Sequence, residues 1–282
     1  MTAPQNIAPP QDSPAGSGSD HRLVVRSSNY QPTRLNELHL FAGCGGGILG
    51  GILLGHQPCC AVEIEPYARK VLLQRQRDGQ LPPFPVWDDV RTFDGKPWRK
   101  VADIVCGGFP CQDISLIGRG AGLDGERSGL WGEMRRVVCE VQPRIVFVEN
   151  SPALTIRGLG RVLGDLAAMG FDAAWGVFSA CSIGAPHTRE RLWILADSSE
   201  GEYLGIQDAS IRRRRLPESR MGTWWATEPD LGRVADGLAH DVDRVAAIGN
   251  GQVPSVVRSA WNTLAARLIS SHNMNYPDQN SR

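Results

Sequence analysis

Short apolar segments recur along the middle of the chain and alternate with longer amphipathic ones. Four of the short segments read LNELHLF, CCAVEI, ADIVCGG and RIVFVEN. Runs of this length, bounded by glycine, proline or polar residues, fit strands that are buried inside a sheet. The β-branched residues of RIVFVEN favour a strand over a helix. Two later runs, AAWGVFSA and ERLWILA, lie close together in sequence and predict an antiparallel pair at the sheet edge.

The segments between the strands have the spacing of helices with one apolar face. In LWGEMRRVVCEV the apolar positions fall on one side, and Pro143 follows as a stop. In LGRVLGDLAAMG they do so again, and Gly170 is placed to end the helix. The predicted apolar faces comprise Leu130, Met134, Val137, Val138 and Val141 in the first, and Leu159, Val162, Leu163, Leu166 and Met169 in the second. Alternating strands and helices predict an α/β fold with a doubly wound, mostly parallel sheet.

The regular pattern is interrupted once and then resumes. From Asp197 to about Arg233 the apolar periodicity fades, and VPSVVRSAWNTLAARLIS then shows a helical spacing again. The apolar side of this helix is predicted to hold Val256, Val257, Ala260, Trp261, Leu264 and Leu268. We therefore predict a disordered tail (1–33), a main α/β domain (34–196), an inserted region (197–233), a returning segment (234–272) that completes the main domain and a flexible tail (273–282).

Composition narrows the class of protein. The chain is 41% apolar and 21% charged, has zero net charge and contains no long apolar run or secretory signal, which predicts a soluble cytoplasmic protein. Its seven cysteines are odd in number and form no CxxC pair. A disulfide framework or a zinc site is therefore not expected. The block Arg212 to Arg215 could contact phosphate groups.

The first strand runs into a glycine cluster that suits a nucleotide-like ligand. Gly45, Gly47 and Gly50 fit GxGxxG, although a tight strand-to-helix turn would use the same residues. Glu63 follows Gly43 at the sequence spacing at which an acidic residue binds the ribose hydroxyls of a nucleotide in doubly wound folds. Asp89 could meet an adenine amino group, or it could belong to a solvated turn. The pattern predicts an adenosine-containing cofactor and leaves NAD and S-adenosylmethionine open.

Polar side chains at the ends of two later strands suggest a catalytic site. Cys111 follows ADIVCGG, and Glu149 ends RIVFVEN, so neighbouring strands would deliver a thiol and a carboxyl to one rim. A buried, inert cysteine and a charge at a helix start are the alternatives. Arg189 and Arg191 lie two residues apart and would share one face of a strand, where they could bind a base carbonyl or a phosphate. Alternatively, they could be charged residues that point outward from an edge strand.

In order, the chain reads LFAGCGGG, AVEIEPYA, GGFPCQDIS, RSGLWGEM, VFVENSPAL, GAPHTRERLWILA and AIGNGQVPSVV. In these motifs and their order it resembles the cytosine-5 DNA methyltransferase family from about Leu35 to Leu268. The resemblance implies a Rossmann-like methyltransferase sheet, with the inserted region as a short target-recognition region. The implied reaction moves a methyl group from S-adenosylmethionine to C5 of a flipped-out cytosine in a specific DNA sequence and leaves S-adenosylhomocysteine.

The resemblance also assigns roles to residues. Cys111 would attack C6 of the cytosine, and Glu149 would stabilise or protonate N3. Arg189 and Arg191 would position the base and the loop LIGRGAGLDGERSG, which is expected to close over it. The implied cofactor site comprises Phe41, Ala42, Gly43, Gly45, Gly46, Glu63, Ile64, Asp89, Val90, Phe109, Asn250 and Gly251, with no metal. His187 and Ile64 depart from the family pattern, since glutamine and an aromatic residue are usual there.

The expected partner is double-stranded DNA, bound by a monomer in the cytoplasm of a bacterial cell or a phage-infected host. No membrane is expected, and a cognate restriction endonuclease is left open. The alternatives are a tRNA cytosine-5 methyltransferase and a catalytically silent module that binds DNA or cofactor. The pattern Cys111, Glu149, Arg189 and Arg191 is intact, which argues against a silent module.

Overall fold

The computed structural model describes residues 34–110, 129–198 and 251–275, with side chains as far as residue 271. The strands are β1 (Asn36–Leu40), β2 (Gln57–Val62), β3 (Val86–Trp87), β4 (Ile104–Gly107), β5 (Ile145–Asn150), β6 (Phe171–Ser179) and β7 (Glu190–Ser198). The helices are α1 (Gly46–Leu54), α2 (Pro66–Arg77), α3 (Gly129–Val141), α4 (Leu154–Arg157), α5 (Leu159–Ala168) and α6 (Pro254–Asn275). Short 3-10 turns lie at Lys96–Trp98 and Cys181–Ile183.

The seven strands form one sheet in the order β3-β2-β1-β4-β5-β7-β6. β1, β2, β3, β4 and β5 pair in parallel, whereas β7 is antiparallel to both β5 and β6. The predicted doubly wound, mostly parallel sheet is confirmed, and so is the antiparallel pair of late strands. The sequence pattern missed β3, because a two-residue strand has no measurable period.

Helices cover both faces of the sheet, so the central strands have no solvated side. All six residues of β5 are buried, as expected for a strand covered on both faces. On one face, α3 and α5 pack their predicted apolar residues against β1, β4 and β5. On the other face, α6 buries the predicted residues, among them Val257, Trp261 and Leu264, against β4, β5 and β7. Gly170 has φ +87° just after α5, which agrees with its predicted role in ending that helix.

Helices α1 and α6 approach each other closely at a glycine. A Cβ added to Gly50 would lie 2.5 Å from Cγ1 of Val257, which is far inside ordinary contact. Gly50 is the last glycine of the GxGxxG match. Its role here is close helix packing, because no larger side chain would fit between the helices.

A carboxylate is buried beneath α1. Glu37 is 2% exposed and accepts hydrogen bonds from His39 Nε2 at 2.9 Å and His56 Nδ1 at 2.7 Å. Burial raises the pKa of Glu37, but the charges and hydrogen bonds of the two histidines outweigh burial and lower it from 4.5 to about 2. Gly51 leaves the space that the carboxylate fills, since an added Cβ would lie 2.6 Å from Glu37 Cδ.

The Cys106 thiol lies on the same face as this carboxylate, and burial raises its pKa well above the usual value. The metal-ligating atoms of Glu37, His39 and Cys106 lie within 4.8 Å of one another. The absence of a metal site, expected from the cysteine pattern, therefore stays a prediction.

Several predictions concern residues outside the described ranges. They include the N-terminal and C-terminal tails, the loop after Cys111, the arginine block and the target-recognition region. The domain boundaries also stay predictions, and β7 extends to Ser198. None of the helices in the described ranges has the length and apolar character needed to cross a bilayer.

Candidate active site

The carboxyl ends of β1, β4 and β5 meet at one edge of the sheet. Leu40 pairs with Gly107, and Gly107 pairs with Val148, so β1 and β4 end at the same level and β5 extends two residues farther. The glycine cluster follows β1, the segment leading to Cys111 follows β4, and Glu149 lies at the end of β5. The sheet therefore brings the predicted cofactor end and the predicted chemical end to one rim, as open α/β sheets do.

The turn between β1 and α1 is held open by left-handed backbone conformations. Phe41, Gly43 and Gly45 have φ values of +54°, +53° and +88°. The Gly43 amide donates to Glu63 Oε2 at 2.6 Å, and the Glu65 amide donates to Glu63 Oε1 at 2.8 Å. Glu63 is 7% exposed, so its carboxylate is fixed at the turn by backbone amides. A Cβ built on Gly43 would meet nothing within 4 Å, which leaves room beside this carboxylate.

The predicted adenine end lies farther along the same edge. The Ile64 side chain is 53% exposed, which is high for a large apolar residue. Asp89 accepts the Arg91 amide at 2.9 Å, and Asp88 accepts the Asp89 amide at 2.9 Å, in a turn at the surface. Val90 is buried. This geometry is compatible with an adenine contact by Asp89 and equally with the solvated turn considered above.

The chain that leads from β4 towards Cys111 is tied to the end of β5. Phe109 is 2% exposed and packs against Trp131, with ring centroids 5.3 Å apart. The Asn150 side-chain amide donates to the Phe109 carbonyl at 2.9 Å. Asn150 thus fixes the backbone two residues before Cys111. Cys111 itself lies outside the described ranges.

The Glu149 carboxylate is buried and held on both oxygens. Arg191 Nε lies 2.9 Å from Oε1, and the Gln252 side-chain amide donates to Oε2 at 3.3 Å. Burial raises the pKa of Glu149, and the Gln252 hydrogen bond and the charges of Arg191 and Arg189 offset this only in part. Gly108 lies against the same carboxylate, because an added Cβ would lie 2.6 Å from Oε2. A carboxyl with a raised pKa is suited to donate a proton or a hydrogen bond.

Arg189 joins this group from the segment just before β7. Its guanidinium donates to the Gly251 carbonyl at 2.6 Å, which ties β7 to the returning segment. Burial and the charge of Arg191 lower the pKa of Arg189, whereas the charge of Glu149 raises it. The edge-strand alternative for the two arginines is wrong, since β7 lies between β5 and β6.

Comparison with known proteins assigns this chain to a family. The profile of the family described as C-5 cytosine-specific DNA methylase matches residues 35–242, well over half of the chain. The chain belongs to this family. Its candidate site therefore combines the family's motifs with a buried carboxyl on the shared rim.

Similar proteins named as Type II methyltransferases come from a bacterium and a virus. The Type II methyltransferase M.Eco47II of Escherichia coli is 32% identical over 164 residues, which cover 56% of this chain and 38% of the relative. M.CviJI of Paramecium bursaria Chlorella virus IL3A is 34% identical over 160 residues, covering 56% of this chain and 42% of the relative. A solved structure, a putative DNA modification methyltransferase encoded within an E. coli prophage, aligns with 25% identity and a TM-score of 0.48. That alignment covers 58% of this chain and 47% of that one. The chain therefore matches less than half the length of these relatives.

Two residues that the structure places at this rim were not among the predicted site residues. Gln252 contacts Glu149, and Asn150 fixes the Phe109 carbonyl. The motif AIGNGQVPSVV contained the signal for Gln252, next to Asn250 and Gly251. Gly251 lies at the rim through its bond to Arg189, whereas Asn250 lies outside the described ranges.

Proposed function

We propose that this chain transfers a methyl group from S-adenosylmethionine to C5 of cytosine in double-stranded DNA. Family membership supports the reaction class. The observation that carries the proposal is the buried Glu149, which is held by Arg191 and Gln252 on the rim where the loop to Cys111 begins. A free thiol, a proton-donating carboxyl and two cations are the groups that such a reaction needs.

The glycine turn and its neighbours fit the proposed cofactor. Backbone amides hold Glu63 beside an open turn, where its carboxylate could accept ribose hydroxyls. Phe41, Ala42, Gly45 and Gly46 would line the same turn. The remaining proposed contacts are Ile64, Asp89, Val90, Phe109, Asn250 and Gly251. When bound, S-adenosylmethionine supplies an electrophilic methyl group.

The chemistry of the protein side then follows from the proposed roles. The Cys111 thiolate forms a bond to C6 of the cytosine, the electron pair of the C5–C6 double bond shifts to C4–C5, and the pair of the C4–N3 double bond moves onto N3. Glu149 donates a proton or hydrogen bond at N3, which accommodates that charge and leaves C5 nucleophilic. C5 then takes the methyl group as the bond between that group and the sulfonium sulfur breaks, which leaves S-adenosylhomocysteine, and a proton taken up by N3 returns to Glu149. Loss of the C5 proton to a base restores the C5–C6 double bond and breaks the sulfur–C6 bond, so the thiolate is regenerated.

The surroundings of Glu149 support this role. Burial raises its pKa, so a larger fraction of the carboxyl carries the proton at neutral pH. Arg191 and Gln252 fix its orientation, and Arg189 adds positive charge nearby. The reacting atoms of a base are out of reach inside a duplex, so the target cytosine must be flipped out.

We further propose a monomer that acts on a defined DNA sequence in the cytoplasm of a bacterium or a phage-infected host. The names of M.Eco47II and M.CviJI as Type II methyltransferases support a restriction endonuclease as a companion. Modified host DNA would then be protected from that endonuclease.

Expression in a host without cytosine methylation tests the proposal. We expect 5-methylcytosine within one short sequence motif, and none with Cys111→Ala or Glu149→Gln. The unaltered protein should also form a covalent adduct with DNA that contains 5-fluorocytosine, and Cys111→Ala should not. Folded, cofactor-binding protein that leaves DNA unmodified, or that modifies only tRNA, would contradict the proposal.

A further inference from the structure

Gln252 fills a space that three glycines leave open. It lies just before α6, and its backbone carbonyl packs on Gly46, where an added Cβ would lie 3.0 Å from the carbonyl carbon. Its side chain packs on Gly47, where an added Cβ would overlap Oε1 and lie 3.4 Å from Cδ. A Cβ on Gly108 would lie 3.2 Å from Nε2. Gln252 is therefore wedged between the first turn of α1 and the segment after β4.

The amide at the tip of this wedge is directed at Glu149. Nε2 donates to Oε2 of Glu149 at 3.3 Å, while Arg191 occupies Oε1. The charged groups that act on Glu149 in the described structure are Arg191 and Arg189, both from the β7 side. Gln252 differs from them because it is neutral and comes from the returning segment. It contributes a directed donor without adding a cation.

The contacts of Gln252 make it a link between two parts of the site. One side of the residue touches the glycine turn, and the other side touches the carboxyl. We infer that Gln252 is a positioning residue that fixes the Glu149 carboxyl and connects it to the glycine turn. The inference rests on the proposed function, in which the turn holds the cofactor and Glu149 acts on the base. No part of the returning segment was predicted to reach Glu149 in this way.

The inference predicts a specific effect of removing the amide. Gln252→Met keeps the length and volume of the side chain but has no donor for Oε2. The donor stabilises the charged carboxylate, so its loss raises the pKa of Glu149 further. If the protonated carboxyl is the active form, activity falls as the pH rises through that pKa. The limb of the pH profile that Glu149 governs should therefore move to higher pH in Gln252→Met.

A graded series separates positioning from packing. Gln252→Glu places a second carboxylate beside Glu149 and should move the limb that Glu149 governs farther than Gln252→Met does. In single turnovers, Gln252→Met should lower the methyl-transfer rate about 10-fold, the cost of one hydrogen bond to a charged group. The KM for DNA should stay unchanged. Gln74→Met is the matched control, because Gln74 also donates to a carboxylate, Asp78, but on the exposed surface of α2.

Two measurements keep this inference distinct from the proposed function. In an active protein, loss of activity in Glu149→Gln together with an unchanged profile in Gln252→Met would overturn the inference alone. If the protein transfers no methyl group, a ¹³C NMR titration of the Glu149 carboxyl, assigned with Glu149→Gln, still tests it. A higher pKa in Gln252→Met supports the link, and an equal pKa overturns it.

Discussion

Gly51→Ala offers a sharp test of the packing between α1 and the sheet. In a solvated helix this change stabilises by about 1 kcal/mol, because alanine has the higher helix propensity. Here the new methyl group would overlap Oε2 of Glu37 and lie 2.6 Å from its Cδ. The carboxylate cannot simply turn away, since His39 and His56 hold both of its oxygens in a buried site.

Lost hydrogen bonds to Glu37 and gained helix propensity oppose each other, and their balance decides whether Gly51→Ala destabilises the protein. A hydrogen bond to a charged group contributes about 1.5–3 kcal/mol to the free energy of unfolding. Displacing the Glu37 carboxylate would weaken two such bonds, those from His39 and His56. The loss exceeds the gain in helix propensity, so we expect Gly51→Ala to destabilise by about 3 kcal/mol. For a domain of this size that lowers Tm by about 6–12 °C. Thermal unfolding followed by circular dichroism, with urea unfolding at 25 °C, measures both values.

Gly164→Ala is the matched control, because Gly164 is exposed within α5 and an added Cβ there meets nothing within 4 Å. It should stabilise by up to about 1 kcal/mol. In a Glu37→Ala background the clash is gone, so Gly51→Ala should cost little there. A Gly51→Ala protein that melts at or above the unaltered protein would refute the packing argument.

Two further predictions concern the stability of the protein at low pH and the packing of α1 against α6. The pKa of Glu37 is lowered from 4.5 to about 2 in the folded protein, so the stability it contributes is present above pH 4.5 and is lost as the pH falls towards 2. Over that range the unaltered protein should lose about 3 kcal/mol more unfolding free energy than Glu37→Gln, and parallel denaturation curves would contradict this. Gly50→Ala should destabilise by about 1–3 kcal/mol through overpacking against Val257. Val257→Ala should relieve part of that loss in the double variant, and strictly additive urea midpoints would show that the residues do not clash.

Periodic features of the fold could be predicted from the sequence, because burial follows the repeat of each element. The apolar face of α6 was predicted correctly, including Val257 and Trp261, since a helix presents every third or fourth residue to one side. The antiparallel pairing of β6 with β7 was also predicted correctly. The position of β7 beside β5 was not, because no local pattern records which strand a later one will join.

The parts of the site that lie at the ends of predicted strands could be located from the sequence. Glu149 and the glycine turn lie on one rim because parallel strands end together, and that much follows from topology. Gln252 lies within the motif AIGNGQVPSVV, but the motif does not show which side chain Gln252 contacts. Its role depends on a contact with Glu149 across 103 positions of sequence, and a single amide has no period. The left-handed backbone of Phe41 was likewise not predictable, since non-glycine residues rarely adopt it.

Helix α6 is the last element in the described chain, yet the segment that precedes it completes the site. Arg189 bonds to Gly251 across 62 positions, and Glu149 bonds to Gln252 across 103. Domains begin to fold while the ribosome is still adding residues, starting from the N-terminus. A nascent chain could therefore pair β1, β4 and β5 well before Gln252 emerges. During synthesis the Glu149 carboxyl would therefore lack its contact with Gln252 until the segment before α6 has docked.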